Sequence, residues 1–375
     1  MKIASLSTFY FSGGRCLIYV RAIRRAVALF CFAALIPIFV FSAQDGPSVS
    51  TAWNVTLVLP RELVAGQPAT LAAFGVDGKL APGVSVDLGG VQRVQTDKTG
   101  RAYFITPPAG NILIAKAAGN SAAAFVDPAP AASDSQAAGS AATRSAISVA
   151  PFVSLRDAFT ICGPGLRGDA DLNHVKINGE TSLIVAASQF CLSVLPGEKA
   201  LPGPAKISVE STGTGWTAAT TLVSLDFEPP NPPLLPDKKS SLVVRVHGSE
   251  QRLRIIVSNE TPGVLRFLHG DAEELITSGG AANFAAFKIQ AMRSGDFSFH
   301  ARLVPAPDTE AARRFLEAAV PLAAKDLQPQ IKNLAKRLTR SPRDGERIQA
   351  ELNQIVSQTI AGDFRTLLEA ARNAL

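Results

Sequence analysis

Chemically versatile side chains are scarce in this chain, and their scarcity removes several function classes. Four histidines occur in 375 residues. They are scattered at His174, His247, His269 and His300, and no two have the spacing of a metal-ligand pair. No Gly-x-Ser-x-Gly elbow is present. Lys98-Thr99-Gly100 matches one β-lactamase-type triplet, but no Ser-x-x-Lys accompanies it, so it reads as a turn. Two tryptophans and three tyrosines are all the large polar aromatics there are. Cysteine is equally thin. Cys16 and Cys31 fall in the N-terminal leader, which leaves one pair, Cys162 and Cys191.

Charge of one sign is also missing. The chain has 37 basic and 31 acidic residues, a net of +6. Five of the basic residues (Lys2, Arg15, Arg21, Arg24, Arg25) lie within 1–43, where no acidic residue occurs. Without them the balance is 32 to 31. A nucleic-acid partner thereby loses its main sequence argument and is not expected, because such binding rests on a basic footprint.

One long apolar run exists, the sixteen residues from Ala26 to Phe41. It follows the Arg24-Arg25 pair and precedes Ser42-Ala43. A basic segment, an apolar core and small residues make an export signal. Residues 1–43 therefore read as a signal peptide cut after Ser42 or Ala43, with an uncleaved anchor through residues 24–43 as the rival. Either reading predicts an exported protein: periplasmic, at the cell surface, secreted, or signal-anchored to the inner membrane. Cys162 and Cys191, alone in an oxidising compartment, are expected to pair. Two separate buried thiols are the alternative.

Composition marks the joints of the remaining chain. Residues 127–147 are rich in Ala, Ser and Pro and read as a linker. Residues 228–239 hold five prolines and read as a stiff, extended spacer. Between them, and up to Pro305, short alternating runs are broken by turn residues. Past Pro305–Asp308 the apolar period changes from two to about 3.6. The expected fold is mainly β: tandem Ig-like β-sandwiches at 51–126, 148–227 and 240–305, with a C-terminal α-helical hairpin tail at 308–375. Thr309 is the expected first cap, and Pro321 and Pro329 should break the early helix. The tail's apolar stripe is expected to fold on itself or on the third unit, or to meet a partner chain. Its basic run, Lys332, Lys336, Arg337, Arg340, Arg343 and Arg347, reads as a solvated face or an anionic contact.

Two segments resemble known families. Asp77-Gly78-Lys79-Leu80-Ala81-Pro82-Gly83, then Thr96-Asp97-Lys98-Thr99-Gly100-Arg101-Ala102-Tyr103-Phe104 and Pro108-Ala109-Gly110 resemble a carboxypeptidase-regulatory-like module. The same stretch is similar to bacterial invasin-type Ig-like domains. Phe159-Thr160-Ile161-Cys162-Gly163-Pro164-Gly165-Leu166, followed by Val175-Lys176-Ile177-Asn178-Gly179, resembles the opening of an IPT/TIG domain. Leu166 stands where Phe is usual there, and the Pro and Gly that normally precede that strand are missing. These resemblances imply scaffold or adhesion modules and supply no catalytic residues.

Asp169, Asp171, Asn173 and Glu180 occupy positions 1, 3, 5 and 12 of a calcium loop, the spacing a seven-oxygen site needs. His174 replaces the Gly of the sharp bend, so a polar loop between strands is the competing reading. His269, Asp271, Glu273 and Glu274 gather in a second polar stretch, read as a solvated turn or an acid–base group. No cofactor motif is present. The expectation is a non-enzymatic exported protein that binds a protein or carbohydrate at the cell envelope as adhesion, scaffold or assembly component. The alternative is a glycan-binding accessory protein of a polysaccharide-processing system, with Trp53, Tyr103 or Trp216 as stacking platform. A hydrolase with dispersed residues stays open.

Overall fold

The computed structural model describes residues 55–108, 110–129, 146–228, 235, 237–267, 272–341 and 344–375, and two short strands nearer the N-terminus. Those two, β1 (Phe11–Ser12) and β2 (Arg15–Cys16), pair antiparallel. The apolar run at 26–41, Trp53 and the linker core at 130–145 lie outside the described residues.

The first sandwich comprises β3 (Thr56–Val58), β4 (Glu62–Val64), β5 (Pro68–Phe74), β6 (Ser85–Leu88), β7 (Gln92–Gln95), β8 (Arg101–Ile105), β9 (Ile112–Ala117) and β10 (Asn120–Asp127). One sheet runs β4-β10-β9-β6-β7, and β3 and β8 both pair with β5 in the other. Leu71, Val86, Phe104 and Leu113 are among the side chains buried between them.

The second sandwich comprises β11 (Ser148–Val149), β12 (Phe152–Ser154), β13 (Phe159–Cys162), β14 (Asn173–Ile177), β15 (Glu180–Thr181), β16 (Leu183–Ala187), β17 (Cys191–Leu195), β18 (Gly203–Ser211) and β19 (Thr214–Glu228). Its β11-β13-β17-β16 sheet meets β5 of the first sandwich edge to edge, at Ala187 and Thr70.

The third sandwich comprises β20 (Lys239–His247), β21 (Arg254–Asn259), β22 (Leu265–Phe267), β23 (Ala272–Ile276), β24 (Phe284–Ala291) and β25 (Phe299–Leu303). It borrows β19. Thr214–Leu222 of this fifteen-residue strand pairs with β18, and Ser224–Glu228 pairs with β20. Leu222 belongs to the second core and Val223 to the third. Successive side chains point to opposite faces of a strand, so the core changes sides of one continuous sheet at that step. β19 and β20 are antiparallel neighbours, so the strands on either side of residues 229–238 lie in one sheet.

The tail is four α-helices: α1 (Thr309–Ala319), α2 (Gln328–Arg340), α3 (Gly345–Gln358) and α4 (Asp363–Ala374). Asp308, one residue before the expected cap, accepts a 2.8 Å bond from the Ala311 N–H. Pro321 lies in the 3₁₀ turn that ends α1, and Pro329 in the first turn of α2, where no intrahelical N–H is needed. The apolar stripes of all four helices meet in one core, and that core includes Phe125 of β10. The tail thus docks on the first sandwich and not on the third. The reason is alternation along β10: Ala124 and Val126 face into the sandwich, while Phe125 faces out. Beside it on β9, Ile112 and Ile114 complete the apolar outer face. Phe125 stacks on Phe315 with ring centroids 4.2 Å apart. The Arg314 guanidinium lies over the Phe125 ring at 3.9 Å and reaches Asp127 at 3.3 Å. Arg61 pairs with Asp308, and Lys116 with Asp363 at 2.5 Å.

Candidate functional site at the junction of the first two sandwiches

The junction is built around a turn. Asp97 Oδ1 accepts hydrogen bonds from the Thr99 hydroxyl (2.5 Å), the Thr99 N–H (2.7 Å) and the Arg101 N–H (3.3 Å). These bonds, the Thr99 side chain foremost, hold the Asp97 carboxyl below its ordinary pKa. Gly100 sits at φ +72°, and a Cβ there would stand 2.6 Å from Leu80 Cβ. Only glycine fits, so Lys98-Thr99-Gly100 is a structural turn. It launches β8 with Arg101 aimed at the second sandwich.

Arg101 is then fixed three times. Its Nε donates to Thr99 Oγ1 (3.1 Å), its Nη1 to the Ile184 carbonyl (3.4 Å) and its Nη2 to Asp171 Oδ1 (2.8 Å). Next to it, the Thr70 hydroxyl donates to the Gly168 carbonyl (2.7 Å) and accepts from the Ala170 N–H (3.2 Å). Gly168 lies so close to β5 that a Cβ would come within 1.8 Å of the Pro68 carbonyl oxygen. Gln189 donates to Gln67 at 2.8 Å. The two sandwiches are therefore coupled by buried and half-buried polar contacts across a shared sheet.

This contact accounts for part of the calcium-loop spacing. Asp169 caps a 3₁₀ turn over Ala170–Leu172 and accepts from the Asp171 N–H at 3.0 Å. Asp171 pairs with Arg101. Asn173 is buried, and its amide donates to the Arg167 and Asp169 carbonyls, both at 2.8 Å. Asn178-Gly179 forms the hairpin turn between β14 and β15, with φ of 50° and 88°. Glu180 follows that turn opposite Ile177, at the far end of the five-residue β14, about 13 Å along the strand from Asn173. The structure brings the first three residues together and not the fourth. Among the described residues no three His, Cys, Asp or Glu side chains are grouped to hold a metal. Of the second polar stretch, His269 and Asp271 lie outside the described residues; Glu273 and Glu274 lie on β23, with Glu274 paired to Arg254 at 2.6 Å.

Cys162 and Cys191 form a disulfide. They are direct partners on the adjacent strands β13 and β17, with Cα atoms 4.1 Å apart. The bond lies within one sheet and does not cross between sheets.

The outer face of β8 carries what remains exposed. Among the described residues β8 pairs with β5 alone, which leaves its other edge open there. Tyr103 is 55% exposed and Ile105 46%. They stand side by side on the face opposite Phe104, and Phe190 is exposed on the neighbouring sandwich. Trp216, by contrast, is half-buried over Gly165 and packs on the second core. The strip was hard to foresee, because Tyr103 and Ile105 obey ordinary strand alternation. Its only sequence sign is a tyrosine where a solvent-facing position usually carries a polar residue.

No family model and no curated protein matches this chain. Among solved structures, the Bacteroides ovatus mixed-linkage glucan utilization locus SGBP-B in complex with a mixed-linkage heptasaccharide is 14% identical. That match covers 66% of this chain and 73% of the other, with a TM-score of 0.23. The full extracellular region of plexin A4, domains 1 to 8, is 10% identical over 66% of this chain and 32% of its own, at TM-score 0.27. The N-terminal four Ig domains of Dscam1 isoform 7.44 are 9% identical over 65% and 73%, at TM-score 0.21. TM-scores this low carry no argument about role.

Proposed function

We propose that the protein is an exported, non-enzymatic component of the cell envelope that acts by binding through its surface, as adhesion, scaffold or assembly part. The single observation that carries this is the Tyr103–Ile105 strip: exposed apolar side chains on an edge strand of the first sandwich, beside its polar contact with the second. Open edges and aromatic anchors are common means of recognition for such sandwiches. The Cys162–Cys191 bond supports an oxidising compartment, in keeping with the leader read at residues 1–43. We read the first sandwich as carboxypeptidase-regulatory-like or invasin-type, on its turn motifs, and the second as IPT/TIG-like.

The test is cell fractionation with intact mass in the presence and absence of reductant, followed by photocrosslinking from position 103. Recovery in an exported fraction with the disulfide intact, and a discrete crosslinked partner lost on Ile105→Asp, is the expected result. A cytosolic protein with two free thiols would overturn the export reading. An accessory glycan binder is the second reading, favoured by the exposed Tyr103 ring. Retardation in polysaccharide-containing gels that disappears in Tyr103→Ala would select it.

A further inference from the structure

The helical bundle has two unlike ends. At one, the Asp308 N–H donates to the Ala374 carbonyl (2.6 Å), and Gly345 lies against Leu375. This fixes α1 and α3 antiparallel to α4. The connections α1–α2 and α3–α4 therefore emerge together at the other end. There Leu322 is 50% exposed and Ile360 88%. Lys325 is exposed three residues past Leu322, and Lys332 and Lys336 are exposed about one and two turns along α2 from that end.

Three of the bundle's arginines are paired, Arg313 with Glu310 and Glu317, Arg337 with Glu351 and Arg365 with Glu369, while Arg340 and Arg347 are exposed toward the opposite end with no ion pair among the described residues. None of the three lysines has an acidic partner among the described residues, and Asp326 is the one acidic side chain between residues 320 and 343. Lys332 and Lys336 repel each other at i,i+4, a cost that an anionic partner relieves.

The same end receives the chain from the leader. Asn120 donates to the Val55 carbonyl at 2.7 Å, and its neighbour Ser121 bonds Thr366 of α4 at 2.6 Å. Lys116 pairs with Asp363, the first residue of α4. Eleven residues, 44–54, separate Val55 from the leader, and they span at most about 40 Å.

We propose that this end of the bundle docks on an anionic lipid bilayer, with Leu322 and Ile360 entering the headgroup region and the three lysines facing lipid phosphates. Apolar tips with unpaired cations behind them suit that boundary. The proposal rests on the exported reading only for which membrane is at hand; the surface itself belongs to the helices.

The test is hydrogen–deuterium exchange of the full chain on vesicles of phosphatidylcholine, with and without phosphatidylglycerol. A retained leader inserts in both, so the readout is the difference at the bundle. Peptides covering 320–336 and 358–364 are expected to be protected on anionic vesicles, and to lose that protection in about 0.5 M salt. The Lys325→Gln/Lys332→Gln/Lys336→Gln variant should weaken the contact about fivefold per lysine, roughly 100-fold in all. Ile360→Ser should release 358–364 while leaving the salt dependence. Equal protection on neutral vesicles, none on either, or none lost in the triple variant would overturn the proposal. So would protection that follows protein concentration instead of lipid charge, which assigns the surface to a second copy. Failure of the export reading shows separately, in fractionation and intact mass.

Discussion

Phe125→Ala should release the helical bundle from the first sandwich while leaving the sandwich folded. Phe125 is 1% exposed and stacked on Phe315, yet its side chain belongs to the helical core and not to the sandwich's own. Truncating a buried phenylalanine costs about 3–5 kcal/mol. The surface ion pairs that also join the two bodies, Arg61–Asp308 and Lys116–Asp363, contribute roughly 0–1 kcal/mol each. The ring therefore decides the docking. A loss of 3–5 kcal/mol corresponds to exchange that is faster by roughly 100-fold to several thousand-fold. Native-state hydrogen exchange should show this increase at α1 and α4, with β5 and β8 nearly unchanged. Arg314→Ala, which keeps the rings but removes the cation and its Asp127 pair, should cost about 1–2 kcal/mol. Unchanged exchange at α1 in Phe125→Ala would refute the assignment of Phe125 to the bundle core. An equal rise at β5 and β8 would refute the claim that the two cores are separate.

Other outcomes follow from the junction and the disulfide. Cys162→Ala/Cys191→Ala, which opens a 29-residue separation, should lower the stability of the second sandwich by about 3 kcal/mol in chemical denaturation; an unchanged midpoint would contradict it. Thr70→Val strands a buried carbonyl and N–H at the junction, so a loss of about 1–3 kcal/mol is expected, with new proteolysis near residues 168–171. Asp97 has a lowered pKa when folded, so its contribution is present above about pH 4 and lost as the pH falls below that. The melting difference between the native protein and Asp97→Asn should accordingly shrink between pH 6 and pH 3, and a constant difference would exclude Asp97 as the acid-sensitive group. Calcium added to the full chain should give no heat and no thermal shift while Asp171 stays with Arg101; micromolar binding would reverse that.

Much of the fold is legible from strand alternation and turn chemistry. Val84–Leu88, Ala102–Ile105 and Leu253–Val257 alternate and are bounded by Gly and Pro, and each holds a strand. β10 is harder to read, because its Asn120–Ala124 stretch is small and featureless and its turn uses Ala118 at φ 45° where Asn or Asp is usual. The unity of β19 is hidden for a different reason. Leu222 and Val223 are both apolar, which reads as a break in alternation, whereas each faces a different core. The tail's stripe announces helices but not their seat, since an outward Phe125 in a strand looks like any other aromatic. The junction is nearly invisible, because Thr70, Gly168 and Arg101 are common residues whose meaning comes only from being brought together.

Docking of the tail also sets an order of events. Phe125 and Phe315 are 190 positions apart, so their contact is among the last that a chain emerging N-terminus first can make. Until the helices arrive, the folded first sandwich presents Ile112, Ile114 and Phe125 bare to solvent. This is an adhesive intermediate that lasts while two further sandwiches and the helices are delivered. A chain cut short after the third sandwich would carry its defect at the opposite end, on the first, as a permanently uncovered apolar face.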